Sequence, residues 1–231
     1  MGLIAHRSQP QPLSCGKLLS LSDDYLVTPA GSDRNTVRHA DGWCLSQFHD
    51  LPVEDFDCGD SDLNEYFLED AVVARAQMTC ETFALYHDNA PETVVGLVSV
   101  CNDVVAVKKL RMFPQFSKTP DAKLNYKEWP AVKIARLAIR KELQNKNVGT
   151  HLLNLLKQLF VFQNRTGCRI MTVDAYNNPL VLRFYQKNSF EFLTDKDRER
   201  PTRSMWFDLL PWKNAQFDPA PAATSEDSPT V

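Results

Sequence analysis

No arrangement of cysteine or histidine in this 231-residue chain reads as a disulfide framework or a metal site. The six cysteines, Cys15, Cys44, Cys58, Cys80, Cys101 and Cys168, are scattered without a C-x-x-C pair, which disfavours a zinc ribbon or a stapled secreted scaffold and points to reduced thiols. The five histidines contain no H-E-x-x-H, so a helical zinc-protease site is excluded and no metal is expected. There is no run of about 18 apolar residues, and no basic start followed by an apolar core and a small-residue cleavage site; the expectation is a cytoplasmic protein without a membrane partner. Basic charge is not in excess either. The 26 Lys+Arg against 29 Asp+Glu leave a net charge of −3, which excludes a globally basic nucleic-acid binder but permits a local basic patch. Neither G-x-x-x-x-G-K-S/T nor G-x-G-x-x-G occurs, which disfavours nucleoside-triphosphate and dinucleotide sites. No repeat at solenoid or propeller periods is present.

What is there fits one sizeable domain with extensions. Residues 1–45 carry little apolar periodicity and are broken by Gln9-Pro10-Gln11-Pro12 and Pro29-Ala30-Gly31-Ser32-Asp33, so they read as a flexible or loosely docked extension. Residues 46–213 form the expected domain. Residues 214–231, rich in Pro, Ala, Ser and Asp, cannot offset their ordering entropy by burial and read as a disordered tail.

Within the domain, Asp60-Ser61-Asp62 offers capping oxygens ahead of Leu63, Phe67, Ala71 and Ala74 at helical spacing. Glu81 to His87 and Thr93 to Val100 read as a hairpin, with Val104 to Val107 extending the sheet. A Lys-rich stretch, Lys108 to Pro130, is long for a plain connection. Val132 to Ile139 then reads as a strand, Val148 to Gln163 as a helix with a wide apolar face, and Arg169 to Ala175 as the next strand. Asn178-Pro179 starts a short helix with a capping side chain and a proline at its first position. Phe190 to Leu193 and Ser204 to Leu209 close the pattern as strands. Helices around a mostly antiparallel sheet, ending β–α–β–α–β, give an α/β sandwich of α+β class.

The chemistry concentrates where the strand Lys133-Ile134-Ala135-Arg136-Leu137-Ala138-Ile139-Arg140 turns through Gln144-Asn145-Lys146-Asn147-Val148-Gly149-Thr150 into the apolar helix. A strand, a turn and a helix N-terminus present free backbone N–H groups and a favourable dipole to an anion. The same residues also make an ordinary strand–turn–helix link. Here the chain resembles the GNAT superfamily of acyl-CoA N-acyltransferases, whose loop reads Gln/Arg-x-x-Gly-x-Gly/Ala. Gln144-x-x-Asn147-x-Gly149 departs from it at Asn147, a residue type that tolerates left-handed backbone better than any other except glycine. A second block, Asp174-Ala175-Tyr176-Asn177-Asn178-Pro179 leading to Phe184-Tyr185-Gln186-Lys187-Asn188-Ser189-Phe190, is similar to the family's Asn…Phe-Tyr-x-Lys-x-Gly-Phe, with Ser189 in place of glycine. Upstream, Phe56-Asp57-Cys58-Gly59 through Leu63-Asn64-Glu65-Tyr66-Phe67-Leu68 resembles the opening of the branch that includes toxin acetyltransferases of bacterial toxin–antitoxin pairs. The matched blocks span about residues 50–209.

The resemblance implies a mixed, mostly antiparallel sheet with a V-shaped splay between central strands. It implies acetyl-CoA as donor, with backbone groups of Leu137, Ala138 and Ile139 along the pantetheine and a backbone N–H polarising the thioester carbonyl. Gln144, Asn145, Lys146, Asn147, Val148, Gly149 and Thr150 would hold the pyrophosphate, and Asn178 would meet the pantetheine end. Tyr185 would be the general acid for the departing thiolate, although a tyrosine at such a position also serves as core. For a base, Glu81, Asp174 or a water chain stay open. Lys108, Lys109, Arg111, Lys118, Lys123 and Lys127, and later Lys187, Lys196, Arg198, Arg200 and Arg203, could form a rim for a phosphate or a tRNA acceptor stem, or a solvated face. The reaction implied is direct transfer of acetyl to a primary amine in a ternary complex, the acceptor being a small molecule, a protein or aminoacyl-tRNA. A homodimer is a further family analogy. The competing reading is a catalytically silent acyl-CoA-binding module, prompted by Asn147 and Ser189.

Overall fold

Eight strands among the described residues join into one sheet: β1 (Val37–Arg38), β2 (Trp43–Gln47), β3 (Glu81–His87), β4 (Gly96–Ala106), β5 (Glu128–Ile139), β6 (Ile170–Tyr176), β7 (Glu191–Phe192) and β8 (Thr202–Asp208). The computed structural model describes residues 36–48, 53, 55–106, 108, 127–162 and 167–217. The strands lie in the order β1-β2-β3-β4-β5-β6-β8-β7. Only β5 and β6 pair in parallel; every other neighbouring pair is antiparallel. This is the mixed, mostly antiparallel α+β sheet that the alternation of elements implies.

Among the described residues the α-helices are α1 (Ser61–Glu65) and α2 (Ala71–Ala76), joined by a π-helical turn over Tyr66–Asp70, then α3 (Val148–Phe162), α4 (Pro179–Lys187) and α5 (Leu209–Phe217). Asp60 caps α1 by accepting from the Leu63 N–H at 3.1 Å. On one face of the sheet Leu152, Leu153, Leu155, Leu156 and Leu159 of α3 pack on Leu45, Leu85, Val98, Ile134, Met171 and Val173. Each such buried leucine contributes roughly 1.5–3 kcal/mol, which makes α3 the anchor of that layer. On the other face Phe67 and Ala71 pack with Phe56, Ala84, Leu97 and Ala138. The π turn adds a residue to the helical repeat, and helices distorted in this way cluster at functional sites.

Both expected boundaries move outward. The extension drawn over 1–45 ends inside β2, and Val37, Cys44 and Leu45 are almost wholly buried. Strands of two and five residues are too short to show a period, and they owe their place to pairing with distant β3, where Trp43 faces His87 and Leu45 faces Leu85. The tail drawn from residue 214 begins within α5, which continues to Phe217 because Leu209 and Trp212 dock on the main core. Residues 1–35 and 218–231, and most of the Lys-rich stretch at 109–126, lie outside the described residues. That stretch ends earlier than its composition suggests, since Glu128–Pro130 already pair in β5.

Candidate active site

β5 and β6 pair only over Ala131–Ile134 and Ile170–Val173. Beyond that point β5 runs on to Ile139 beside β4, while β6 runs on to Tyr176 beside β8. The two arms therefore part into a V. A bulge helps to turn them: Ser99 pairs with Arg136 but Val100 with Ile134, leaving Ala135 as the extra residue. Bulges bend the strand that carries them and recur beside active sites. The Arg136 guanidinium closes it by donating to the Ala135 carbonyl at 2.9 Å. Along this arm Ala138 and Ile139 are buried in cores on opposite faces of the sheet, and Leu137 packs against the α3 side. What these three residues offer to the V is backbone.

The turn after β5 carries two residues in left-handed backbone. Asn145 and Asn147 stand at φ 61° and 63°, and residues that alternate into the left-handed region aim successive N–H groups into a concave nest. The N–H groups of Asn145, Lys146, Asn147, Val148 and Gly149 have no acceptor among the described residues. The Thr150 N–H is spent on the Asn147 carbonyl at 2.9 Å. Lys187, at the end of α4, donates to the Asn147 side-chain oxygen at 3.2 Å and brings a cation to the rim. Replacing Asn147 by alanine puts into this position a residue that resists left-handed backbone by roughly 1–2 kcal/mol. Titration calorimetry of acetyl-CoA is then expected to show a Kd weakened about 5–30-fold; an unchanged Kd would place the phosphates elsewhere.

Two expected cradle residues have different side-chain work. The Gln144 amide donates to the Cys58 carbonyl at 2.7 Å and to the Ile139 carbonyl at 3.1 Å, so it ties the upstream loop to the end of β5. Arg140 and Lys141 complete that seam through Val94, Asp55 and Asp57. The Phe56-Asp57-Cys58-Gly59 block thus braces the cradle from beneath. Asn64 and the Gly59 N–H donate to Asp57 and hold its carboxyl below the usual carboxylate range. Gly149 owes its smallness to a neighbour: a Cβ there would stand 3.0 Å from Phe184 Cε2 and 3.1 Å from its Cζ. That contact is where α4 closes on α3.

Asn178 caps α4, accepting from the Leu180 N–H at 2.9 Å, at the rim of the β6 arm. Tyr185 is 6% exposed and sits edge-on to Phe184 and Phe190 at 5.1 and 5.4 Å between ring centroids. Burial pushes its phenol well above the ordinary value. Ser189, standing where glycine is the familiar residue, adopts φ 66°. Both departures from the loop patterns therefore keep the geometry that glycine would give.

Of the later basic cluster, Arg203 is buried against Asp197 at 2.7 Å and Arg198 meets Asp195 at 3.2 Å. Neither is a free rim cation. Lys196 and Arg200 stay exposed on the loop that Asn177 holds through the Arg198 and Arg200 carbonyls, each at 2.9 Å.

The V, the nest and Tyr185 all fall within residues 45–190, which match the acetyltransferase (GNAT) family. The chain belongs to that family. It is an acetyl-CoA-dependent acetyltransferase. Among solved structures, AtaT complexed with acetyl-methionyl-tRNAfMet is 21% identical, with a TM-score of 0.62 over 75% of this chain and 98% of that one. A mutant of KacT is 20% identical, with a TM-score of 0.61 over 75% and 99%. A mutant AtaT toxin bound to the C-terminus of the antitoxin AtaR and acetyl-CoA is 19% identical, with a TM-score of 0.57 over 77% and 99%. These likenesses are of fold. A search of curated protein sequences finds no significant match. Among the described residues no helix is long and apolar enough to cross a membrane, and no group of three or more His, Cys, Asp or Glu is placed to hold a metal ion.

The bulge at Ala135 and the bracing of the cradle by the Cys58 loop are features that the sequence reading lacks. The only signal for the second is that the upstream block and Gln144 occur together.

Proposed function

We propose that the enzyme transfers acetyl from acetyl-CoA directly to the α-amino group of an aminoacyl-tRNA, in a ternary complex with Tyr185 as general acid. The observation that carries direct transfer is the V itself. It opens between β5 and β6 past Ile134 and Val173, with free backbone on one arm and a buried phenol beside it. Acetyl-CoA supplies an acetyl group activated as a thioester. The nest from Asn145 to Gly149 holds the phosphates, backbone from Leu137 to Ile139 aligns the pantetheine, and a backbone N–H on that arm stabilises negative charge developing on the carbonyl oxygen. Asn178 meets the pantetheine end from the β6 arm. A domain spanning about residues 36–217 suffices for this chemistry.

Tyr185 holds a proton at the leaving sulfur. An unperturbed phenol, at about 10, is a weaker acid than a thiol at about 8.5, and burial widens the gap for the tyrosine alone. The same apolar enclosure penalises a thiolate, so both partners rise together and the proton transfer stays within reach.

Support for the acceptor comes from fold likeness to AtaT in complex with acetyl-methionyl-tRNAfMet and from the exposed Lys196 and Arg200 beside the β6 arm. The test is incubation with radiolabelled acetyl-CoA and three acceptor pools: total charged tRNA, free amino acids with polyamines, and lysine-rich peptides. Label is expected in charged tRNA, released by mild alkali as acetyl-amino acid. Transfer confined to either other pool would replace the acceptor and leave the transferase reading standing.

A further inference from the structure

We infer that Asp174 receives the proton of the attacking amine; this rests on the direct-transfer reading above. Asp174 is the first residue of β6 beyond the last parallel pair, Ile134 with Val173, so it stands at the apex of the V. Its strand neighbours Val173 and Ala175 face the core beneath α3, and Tyr185 lies in that same core. Alternation along β6 therefore turns Asp174 to the opposite face. The acid and the carboxylate flank the apex from two sides, one toward the leaving sulfur and one toward an incoming nucleophile.

Asp174 is held rather than hidden. Lys133 Nζ donates to its Oδ2 and Ser204 Oγ donates to its Oδ1 at 2.8 Å, while 42% of the side chain remains exposed. These fixed donors orient the exposed carboxylate. The other charged and titratable groups on this face are Arg136, stacked over Tyr66 at 5.1 Å, and Cys101 and Asp103 near Lys133.

The other carboxylates are misplaced for the role. Glu81 begins β3, which β4 and β5 separate from the opening beside β6, and it is engaged by Arg75 of α2 at 3.2 Å. Asp103 faces Ala131, within the stretch where β5 and β6 are still paired and short of the point where they part. It also accepts from Thr172 Oγ1 at 2.6 Å and from the Val104 N–H at 2.8 Å.

In the step, the amine nitrogen bonds to the acetyl carbon and the carbon–sulfur bond breaks. One N–H proton passes to Asp174 and on to water. Tyr185 gives its phenolic proton to the departing sulfur and regains one from water, so the products are the amide and CoA thiol.

Asp174→Asn keeps the shape of the side chain. With charged tRNA as acceptor it is expected to lower kcat about 10²-fold, with the melting temperature and the acetyl-CoA Kd unchanged within twofold. Asp174→Ala is expected to recover activity in added sodium formate, which supplies a carboxylate and nothing else. An Asp174→Asn kcat within twofold of wild type overturns the inference, as does loss of kcat that only tracks weakened acetyl-CoA binding or that formate fails to restore. Wild-type enzyme that acetylates no amine overturns the transfer reading as well. That failure is distinct from one confined to the variants.

Discussion

Tyr185→Phe is expected to lower kcat about 10³-fold, within the usual range for loss of a general acid, while the Kd for acetyl-CoA stays within twofold of wild type. The separation follows from where the hydroxyl sits. Its ring carries the packing, through Phe184 and Phe190, and phenylalanine keeps that ring. Removing the hydroxyl leaves that packing in place and is expected to cost little stability. Burial also keeps the phenol protonated across the neutral range, so wild-type kcat is expected to show no loss of this acid as pH rises toward 9. Steady-state kinetics over both substrates, with a thermal melt of each protein, decide the matter. A variant with wild-type kcat would make Tyr185 a core residue and assign the leaving-group proton to water.

The parts of this site that were legible in the sequence are those whose cause is local. Asp60 ahead of a helical apolar stripe, and Asn178 with Pro179, are short-range signals, and both helices start where those residues place them. Asn147 and Ser189 were also readable, because a left-handed position admits few residue types and each substitute is found at positive φ. The bulge at Ala135 has no such signature. It is a register shift between β4 and β5, and nothing in the run Ile134-Ala135-Arg136 announces which residue will be the extra one. Gly149 shows the opposite case, a residue of the expected loop whose smallness has a distant cause. Its missing Cβ admits Phe184, which lies 35 residues away along the chain. The choice between Glu81 and Asp174 likewise needed the sheet: spacing treats both as strand carboxylates, and only the pairing partners assign their places in it.

Lys157 carries a large pH effect on the stability of the fold. It is 3% exposed in the middle of α3, and burial pushes its ammonium down to about 8. Its Nζ donates to the Asn188 carbonyl at 2.9 Å and lies 4.0 Å from the Phe207 ring centroid and 5.6 Å from that of Phe190. A cation at the C-terminal end of α4 suits the helix dipole, which explains the choice of lysine but does not cancel the desolvation. Below pH 8 the lysine is charged in both the folded and the unfolded chain, and the native state carries the full cost of the buried charge. Between about 8 and the unfolded value near 10.5 the native lysine is neutral while the unfolded one is still protonated, so unfolding takes up a proton and stability rises with pH. The span of about 2.5 units corresponds to about 3 kcal/mol. Lys157→Met lacks this titration, and its difference from wild type cancels the other groups that ionise in the same range. The stability of the variant relative to wild type is therefore expected to fall by about 3 kcal/mol between pH about 7 and about 10.5 in urea melts. A constant difference would show that Lys157 keeps its proton in the native protein as readily as in the unfolded chain. The cation held against the end of α4 would then be stabilised fully by Asn188 and the two rings, one of which, Phe190, lies directly against Tyr185.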